Sequence, residues 1–456
     1  MLNHYYWNIS GLYEEIKTTL SLYSQRFDSQ LGSFGIDTWG IDFCLLGKDD
    51  LILGLPYSYR DERTNGVMKN AFQKISKEDL HRLTGAHNLR GNTIFQLYSM
   101  VLDESPLLEV AKDLLFIPDL FNFLLTGKKF SEFTLATTSQ LFNPLTKNWA
   151  REIFEKLDIP MIMQKIITPG TVIGEFLPEI RKEVGISSSQ VIAPATHDTG
   201  SAVAAIPADG ENWAFISSGT WSLLGIEVMR PIITEQALIH NFTNEGSVGG
   251  KFRFLKDING LWLLQECKRL WNKKDKDLDF QTIIKAALSS KPFKHLIYPD
   301  HSYFLEISDN KCQDIIDFCE KTGQEKPSRI GEISRCIFES LAFRYREVLE
   351  KLKQIKPEPI EVLHIVGGGA KNQALNQFTA NACGIPVVTG PTEAASIGNI
   401  VTQEIGKGHI QSIKEARRII KKSFKMKVFY PQDFQTWAMA YKTYLKIKKR
   451  GEVIGS

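Results

Sequence analysis

Residues 361–388, EVLHIVGGGAKNQALNQFTANACGIPVV, read as strand, glycine loop, helix and strand in direct succession. A β-rich run ending at Val366, a sharp turn and an immediate helix make the repeating unit of α/β folds. Three consecutive glycines at 367–369 let backbone N–H groups come up to a ligand with no Cβ in the way, and a phosphate or nucleoside is the natural occupant. A close-packed turn between Val366 and the helix accounts for the triplet equally well. The loop is not a Walker A sequence, since no Gly-Lys-Ser/Thr follows, nor a G-x-G-x-x-G dinucleotide fingerprint.

The same alternation extends outward from this unit. Upstream lie a long helical pattern at 330–352 and two β-rich runs in WAFISSGTWSLLGIE, residues 213–227, around Ser217, Ser218, Gly219 and Thr220. The amino-terminal half opens on a helical pattern at 9–24 carried by Ile9, Leu12, Tyr13, Ile16 and Leu20. FGIDTWGIDFCLL (34–46) and LILGL (51–55) follow as strands joined by the turn GKDD, and further helical patterns fall at 76–84, 93–103, 111–125 and 148–157. The expected fold class is α/β, with a first domain at 1–208 and a second at 209–456.

Composition narrows the function classes. With 456 residues, 43% of them hydrophobic and 23% charged, the chain can bury two cores. Lys and Arg number 55 against 52 Asp and Glu, and the basic end (Lys446, Lys448, Lys449, Arg450) reads as a solvated helix end, so no nucleic-acid partner is implied. The six cysteines form no CxxC pair and no metal-ligand spacing, which predicts free or buried thiols in a reducing cytosol. The start, MLNHYYWNIS, has neither a basic nor an apolar leader region. The richest apolar stretch, LLFIPDLFNFLLTG (114–127), is broken by Pro118, Asp119 and Asn122, so a soluble cytoplasmic protein without membrane attachment is expected.

One further stretch, APATHDTGSAVAAIP (193–207), puts His197, Asp198 and Thr199 between a β-like run and a small-residue helix pattern. Asp198, Thr199 or Ser201 can cap that helix, and a carboxylate at the end of a strand can equally serve as a base. In the 34–46 stretch Asp37, Trp39, Gly40 and Asp42 line a turn, a set suited to a polyol, with carboxylates to accept hydroxyl hydrogens and an aromatic face for the C–H side. Trp39 could equally be core. Arg60, Asp61, Glu62 and Arg63 read as a salt-linked loop.

Taken together and in order, GIDTWGIDF, YRDERTNG, IPDLFNFLLTG, THDTGSAVAAIP, ISSGTWSLLGIE, NFTNEGSVGGKFRFLKDINGLWLLQECKR and HIVGGGAKNQALNQFTANACGIPVVTGPTEAASIGNI resemble the FGGY carbohydrate kinases. SSGTWSLLG and GLWLLQEC are most similar to the rhamnulokinase branch. The resemblance implies two actin/Hsp70-like (ribonuclease H-like) domains around an interdomain cleft, sugar on the first and ATP on the second. It implies transfer of the γ-phosphoryl group of Mg2+-ATP to the 1-hydroxyl of L-rhamnulose, a reaction that needs in-line geometry, neutralised phosphate charge and a base. Asp198 matches the catalytic aspartate of the family's HDT motif, and His197, Thr199, Cys44 and Asp257 match substrate-contacting positions. Thr220, Gln265 and Gly368 match ATP-contacting positions. For Thr220 the alternative is a turn residue, and for Gln265 a helix-surface glutamine.

Three departures from the family pattern bear on function. Relatives commonly carry glycine at the position of Cys44 and asparagine at that of Asp257, and the Asp257 carboxylate can accept from a sugar hydroxyl but cannot donate as an amide does. Family members also begin with a strand, a D-x-G-A-S-S-G-R phosphate loop and a second strand before the helix that YYWNI (5–9) resembles. The resemblance therefore implies that this chain lacks that unit of on the order of 30–40 residues. The expected function is a rhamnulokinase. The alternatives are a related ketose kinase of the fuculokinase kind and a catalytically weak sugar- or nucleotide-binding relative, with monomer or homo-oligomer left open.

Overall fold

The computed structural model describes residues 4–273, 278–305 and 308–454. The chain divides into two compact units. The first comprises Met1–Ala205, Glu227–Phe254 and Ala395–Ile419, and the second Ile206–Ile226, Leu255–Ala394 and Ile420–Ser456.

The first unit opens on the helix Ile9–Arg26, started by Asn8, whose side chain accepts from the Gly11 N–H at 3.0 Å. Its Ile9 and Leu20 enter an apolar cluster with Leu46, Leu115, Leu120, Phe176 and Val191. A small sheet centres on Ser188–Ile192, which pairs parallel with Gln30–Phe34 (Phe34 opposite Val191) and antiparallel with Val172–Glu175. A second ladder joins Phe43–Leu46 to Asp113–Phe116, with Cys44 opposite Leu115.

Local expectation and structure part in four places. The 111–125 pattern is a strand, Asp113–Phe116, followed by the helix Ile117–Thr126. Pro118 has no N–H and fits only the first turn, so the helix can begin no earlier. The 148–157 pattern likewise splits into a two-residue strand, Asn148–Trp149, and the helix Arg151–Lys156. LILGL contributes only a bridge between Leu46 and Ile52. FGIDTWGIDFCLL is two strand segments interrupted by a turn, with Ile41 at φ 67°.

In the second unit Trp213–Ser218 pairs antiparallel with Trp221–Val228 and parallel with Val362–Val366, which pairs parallel with Val387–Thr389. The edge strand Lys427–Phe429 runs antiparallel to Val387–Thr389. The helix Ile330–Ile355 buries Phe338, Leu341, Phe343 and Val348, and fixes its place by a 2.7 Å bond between the Tyr345 and Ser222 hydroxyls. Residues 361–388 fold as strand, glycine turn, the helix Gln373–Cys383 and strand, so the opening expectation of an α/β unit is met. Among the described residues no disulfide joins any of the six cysteines, and no helix is long and apolar enough to cross a membrane.

Candidate active site

The stretch between the strand Ser188–Ile192 and the helix Asp198–Ala204 is held amide by amide. The Thr196 N–H donates to Glu132 Oε2 at 3.1 Å, His197 N–H to Thr134 Oγ1 at 3.1 Å, and Asp198 N–H to the Thr38 carbonyl at 2.8 Å. The Thr199 N–H donates to Asp198 Oδ1 at 2.6 Å, and the Thr38 N–H returns to the Thr196 carbonyl at 2.9 Å. A turn that would otherwise carry free backbone groups is thereby rigid. His197 is the helix cap position and lends it no side-chain bond, while Asp198 is the first helical residue. Its carboxylate bonds one backbone N–H, as a cap would, yet stays 50% exposed. The two sequence readings are therefore compatible.

Beneath Asp198 lies a charged group that sequence reasoning missed. His197 Nδ1 is 3.2 Å from Arg253 Nη2 and 3.3 Å from Glu245 Oε2, and its Nε2 is 3.5 Å from Asp198 Oδ1. Arg253 has no exposed surface, lies 3.2 Å from Glu245, and donates through Nε to the Gly246 carbonyl at 2.8 Å. Burial alone would raise the pKa of Glu245, but the Arg253 charge and the His197 ring outweigh it and hold the carboxyl well below the usual range. The available signal was an arginine flanked by Phe252 and Phe254 on a strand, since a charge between two core residues is buried only when paired.

The 35–42 turn divides its polar residues between site and scaffold. Asp37 accepts from Asn399 at 2.5 Å, and burial pushes its pKa up to about 6 against that bond, with the Asp198 charge adding to the rise. Gly40 packs beside His197, where a Cβ would lie 3.4 Å from Nε2. Asp42 is buried and its oxygens are taken by Trp7 Nε1 (2.6 Å), Trp39 Nε1 (3.0 Å), the Tyr59 N–H (3.2 Å) and Gln96 (2.8 Å). It is an internal hub with no acceptor to spare for a sugar, and Trp39 packs against Trp7 with the rings tilted by 34° and 4.0 Å between their centres. In the Arg60–Arg63 loop Asp61 lies 3.0 Å from His4 Nδ1. Arg63 donates to Gln96 and Ser99, and Asp61 accepts from the N–H groups of Tyr5 and Arg63.

Of the remaining sugar-side residues, Thr199 is buried at the start of the helix, with its hydroxyl 3.3 Å from Asp198 Oδ1. Cys44 is buried on its strand, its thiol facing the Leu45 carbonyl at 3.7 Å and pushed up to about 12 by burial. Asp257 lies half-buried on Phe252–Asn259, in the part of that strand belonging to the second unit.

The second unit brings Thr220, Gln265 and the glycine triplet to the carboxyl ends of two parallel strands. Ser217 is in register with Val366, so the 218–221 turn and the 367–369 turn emerge side by side. The N–H groups of Leu261 and Trp262 donate to the carbonyls of Gly219 and Thr220, which seats the helix Trp262–Trp271 on that turn and sets Gln265 Oε1 3.4 Å from the Thr220 hydroxyl. The three glycines have different reasons to be glycine. Gly367 has φ 84° and a Cβ there would stand 2.9 Å from the Ser218 carbonyl, while a Cβ on Gly369 would overlap the Ser218 hydroxyl. A Cβ on Gly368 would meet nothing within 4 Å. The outer two are packing glycines and the middle one faces open space. Carboxyl ends of parallel strands are where open α/β sheets receive ligands.

Comparison with known proteins gives this geometry its context. The model of the FGGY family of carbohydrate kinases matches residues 5–205 with its N-terminal domain and 214–406 with its C-terminal domain. The chain is 44% identical to the rhamnulokinase of Bacteroides thetaiotaomicron over 96% of its own length and 89% of that protein, and 41% identical to that of Oceanobacillus iheyensis over 93% and 89%. Among solved structures, the ligand-bound xylulose kinase of Lactobacillus acidophilus superimposes with a TM-score of 0.82 at 18% identity, covering 100% of this chain and 91% of that one. Gluconate kinase from the same organism gives 0.80 at 18% identity, covering 98% and 90%. The chain therefore belongs to the FGGY family of carbohydrate kinases.

Proposed function

We propose that the chain transfers the γ-phosphoryl group of Mg2+-ATP to the 1-hydroxyl of L-rhamnulose, giving L-rhamnulose 1-phosphate and ADP in L-rhamnose breakdown in the cytoplasm. The observation that carries this is the 38–44% identity to rhamnulokinases over 93–96% of the chain. Residues 1–208, with Glu245 and Arg253 added from the same compact unit, bind most of the sugar, and 209–456 bind ATP.

Asp198 takes the proton of the sugar hydroxyl as the new O–P bond forms and the bond to the β-phosphate oxygen breaks. The alcohol becomes acidic only as it attacks, so a half-exposed carboxylate held by its backbone is suited to the task. His197 and Thr199 flank it against the sugar, with Cys44 and Asp257 as further substrate positions. Gly368, Thr220 and Gln265 take the nucleotide, and the open face of Gly368 is the feature that supports a close backbone approach. Mg2+ arrives with ATP as part of that substrate and supplies charge neutralisation on the phosphates.

The test is ADP release by the purified protein with Mg2+-ATP and L-rhamnulose, L-fuculose, D-xylulose or glycerol. L-rhamnulose should exceed each of the others in kcat/KM by at least about 10²-fold, the discrimination expected of hydroxyl-reading sites. A higher kcat/KM for L-fuculose would overturn the assignment.

A further inference from the structure

Glu132 enters above only as the acceptor of the Thr196 N–H, yet it is among the most completely buried charged residues of the first unit. Its Oε2 receives the Thr196 hydroxyl at 2.7 Å, the Thr196 N–H at 3.1 Å, the Thr134 N–H at 2.9 Å and, at close range, the Thr134 hydroxyl. The Thr134 hydroxyl oxygen in turn accepts from the His197 N–H at 3.1 Å. One carboxylate oxygen thus fixes, directly or through one threonine, the two residues that precede Asp198.

The other half of the same side chain is poorly provided for. Glu132 Oε1, Asp119 Oδ1 and both amide atoms of Asn122 are buried without a hydrogen-bond partner among the described residues. Asp119 sits against the Glu132 backbone, its Oδ2 accepting the Glu132 N–H at 3.3 Å. Two buried carboxyl groups side by side, with unmet acceptors, cost stability relative to an apolar core of the same shape. Burial drives the pKa of both upward, that of Asp119 further by the Glu132 charge. A residue whose sole task was stability would not be arranged this way. The satisfied oxygen is bonded to Thr134 and Thr196, and the other has no partner among the described residues.

We propose that Glu132 is a positioning residue for the phosphoryl-transfer reaction, a buried tether that sets the place of Asp198 through the backbone of Thr196 and His197. The proposal rests on Asp198 acting as the base.

Two readouts keep the tether and that base assignment separable. Hydrogen exchange of the segment 193–204 reports the tether without any substrate. Glu132→Ala should speed exchange there at least about 10-fold relative to the native chain, with the second unit unchanged. Steady-state kinetics on whichever ketose the native protein turns over reports the consequence. Glu132→Ala should lower kcat at least about 30-fold and leave KM for ATP within about twofold, while Glu132→Gln, which still offers an amide oxygen to the same donors, should keep kcat within about threefold. If Glu132→Ala does not fold, Thr196→Val, which deletes one donor alone, should show the same pattern at about 3- to 10-fold in kcat. Unchanged exchange at 193–204 overturns the proposal whatever the activity. So does faster exchange with kcat preserved, or a loss in Glu132→Gln as deep as in Glu132→Ala. Faster exchange with the kcat loss supports it. An Asp198→Asn protein that keeps its activity overturns the base assignment and this proposal with it, whereas loss of Asp198 activity with native exchange in Glu132→Ala overturns the tether alone.

Discussion

Replacing Arg253 by methionine should be the most informative single change in the first unit. The guanidinium has no exposed surface and stands 3.2 Å from the Glu245 carboxylate, itself almost fully buried. Methionine fills much of the same volume but leaves Glu245 as an uncompensated buried charge, for which the cost is about 3–5 kcal/mol. The Gly246 carbonyl also loses the 2.8 Å bond from Nε, adding about 1 kcal/mol. Total destabilisation should therefore be about 4–6 kcal/mol. If the buried charge is the cause, removing it must help, so the double variant Arg253→Met/Glu245→Leu should fall short of the sum of its two singles by at least about 2 kcal/mol. Equilibrium urea unfolding followed by far-ultraviolet circular dichroism and tryptophan fluorescence gives the cycle. Because His197 Nδ1 loses one of its two neighbours and keeps only the Glu245 carboxylate, KM for the sugar should rise at least about 10-fold in the single variant while KM for ATP stays within about twofold. A loss under about 1 kcal/mol, or additive singles, would refute the view that the pair is a buried and mutually dependent support for His197.

Three other outcomes are expected. Asp198→Asn keeps an oxygen to accept the Thr199 N–H, so stability should change by less than about 1 kcal/mol while kcat falls about 10²-fold or more; a variant with over a tenth of native kcat shows that another group takes the proton. Gly368→Ala should leave stability within about 1 kcal/mol and raise KM for ATP about 10-fold, whereas Gly369→Ala, whose Cβ meets Ser218, should cost about 1–3 kcal/mol; thermal melts and nucleotide titrations that rank the two alike would contradict this division of roles. Burial works to raise the pKa of Glu347, but Arg344, Lys351 and Lys448 override it and hold the carboxyl at about 2. A depressed carboxyl adds stability above its unfolded value of about 4.3 and loses it as pH falls toward 2, so Glu347→Gln should flatten the acid limb of urea midpoint against pH between about 5 and 3, and an unchanged limb would rule the contribution out.

Much of the fold was legible because the signals that define it are local. The helix Ile9–Arg26, the paired runs from Trp213 and the strand, glycine turn, helix and strand of 361–388 each carry their periodicity and turn residues within a few positions of themselves. The HDT turn was legible for the same reason: a strand end, a carboxylate and a small-residue helix are adjacent in the chain. Where local pattern was misread, at 111–125, the overlooked fact was also local, the inability of Pro118 to sit beyond a first helical turn.

What only the tertiary structure decided is how distant polar groups spend their hydrogen bonds. Asp37 and Asp42 look alike in GIDTWGIDF, yet one lies near Asp198 and the other is consumed by Trp7, Trp39, Tyr59 and Gln96. No spacing in the chain could say which of Gly367, Gly368 and Gly369 faces open space, because Ser218, which makes glycine necessary on either side, is some 150 positions away. Glu132 and Glu245 carry no local signature of a site, since each is defined by a partner 48 to 64 residues off or by burial itself. Periodicity and turn chemistry are properties of neighbours in sequence, while desolvation and acceptor supply are properties of neighbours in space, and the second kind is what separates a supporting carboxylate from a reacting one.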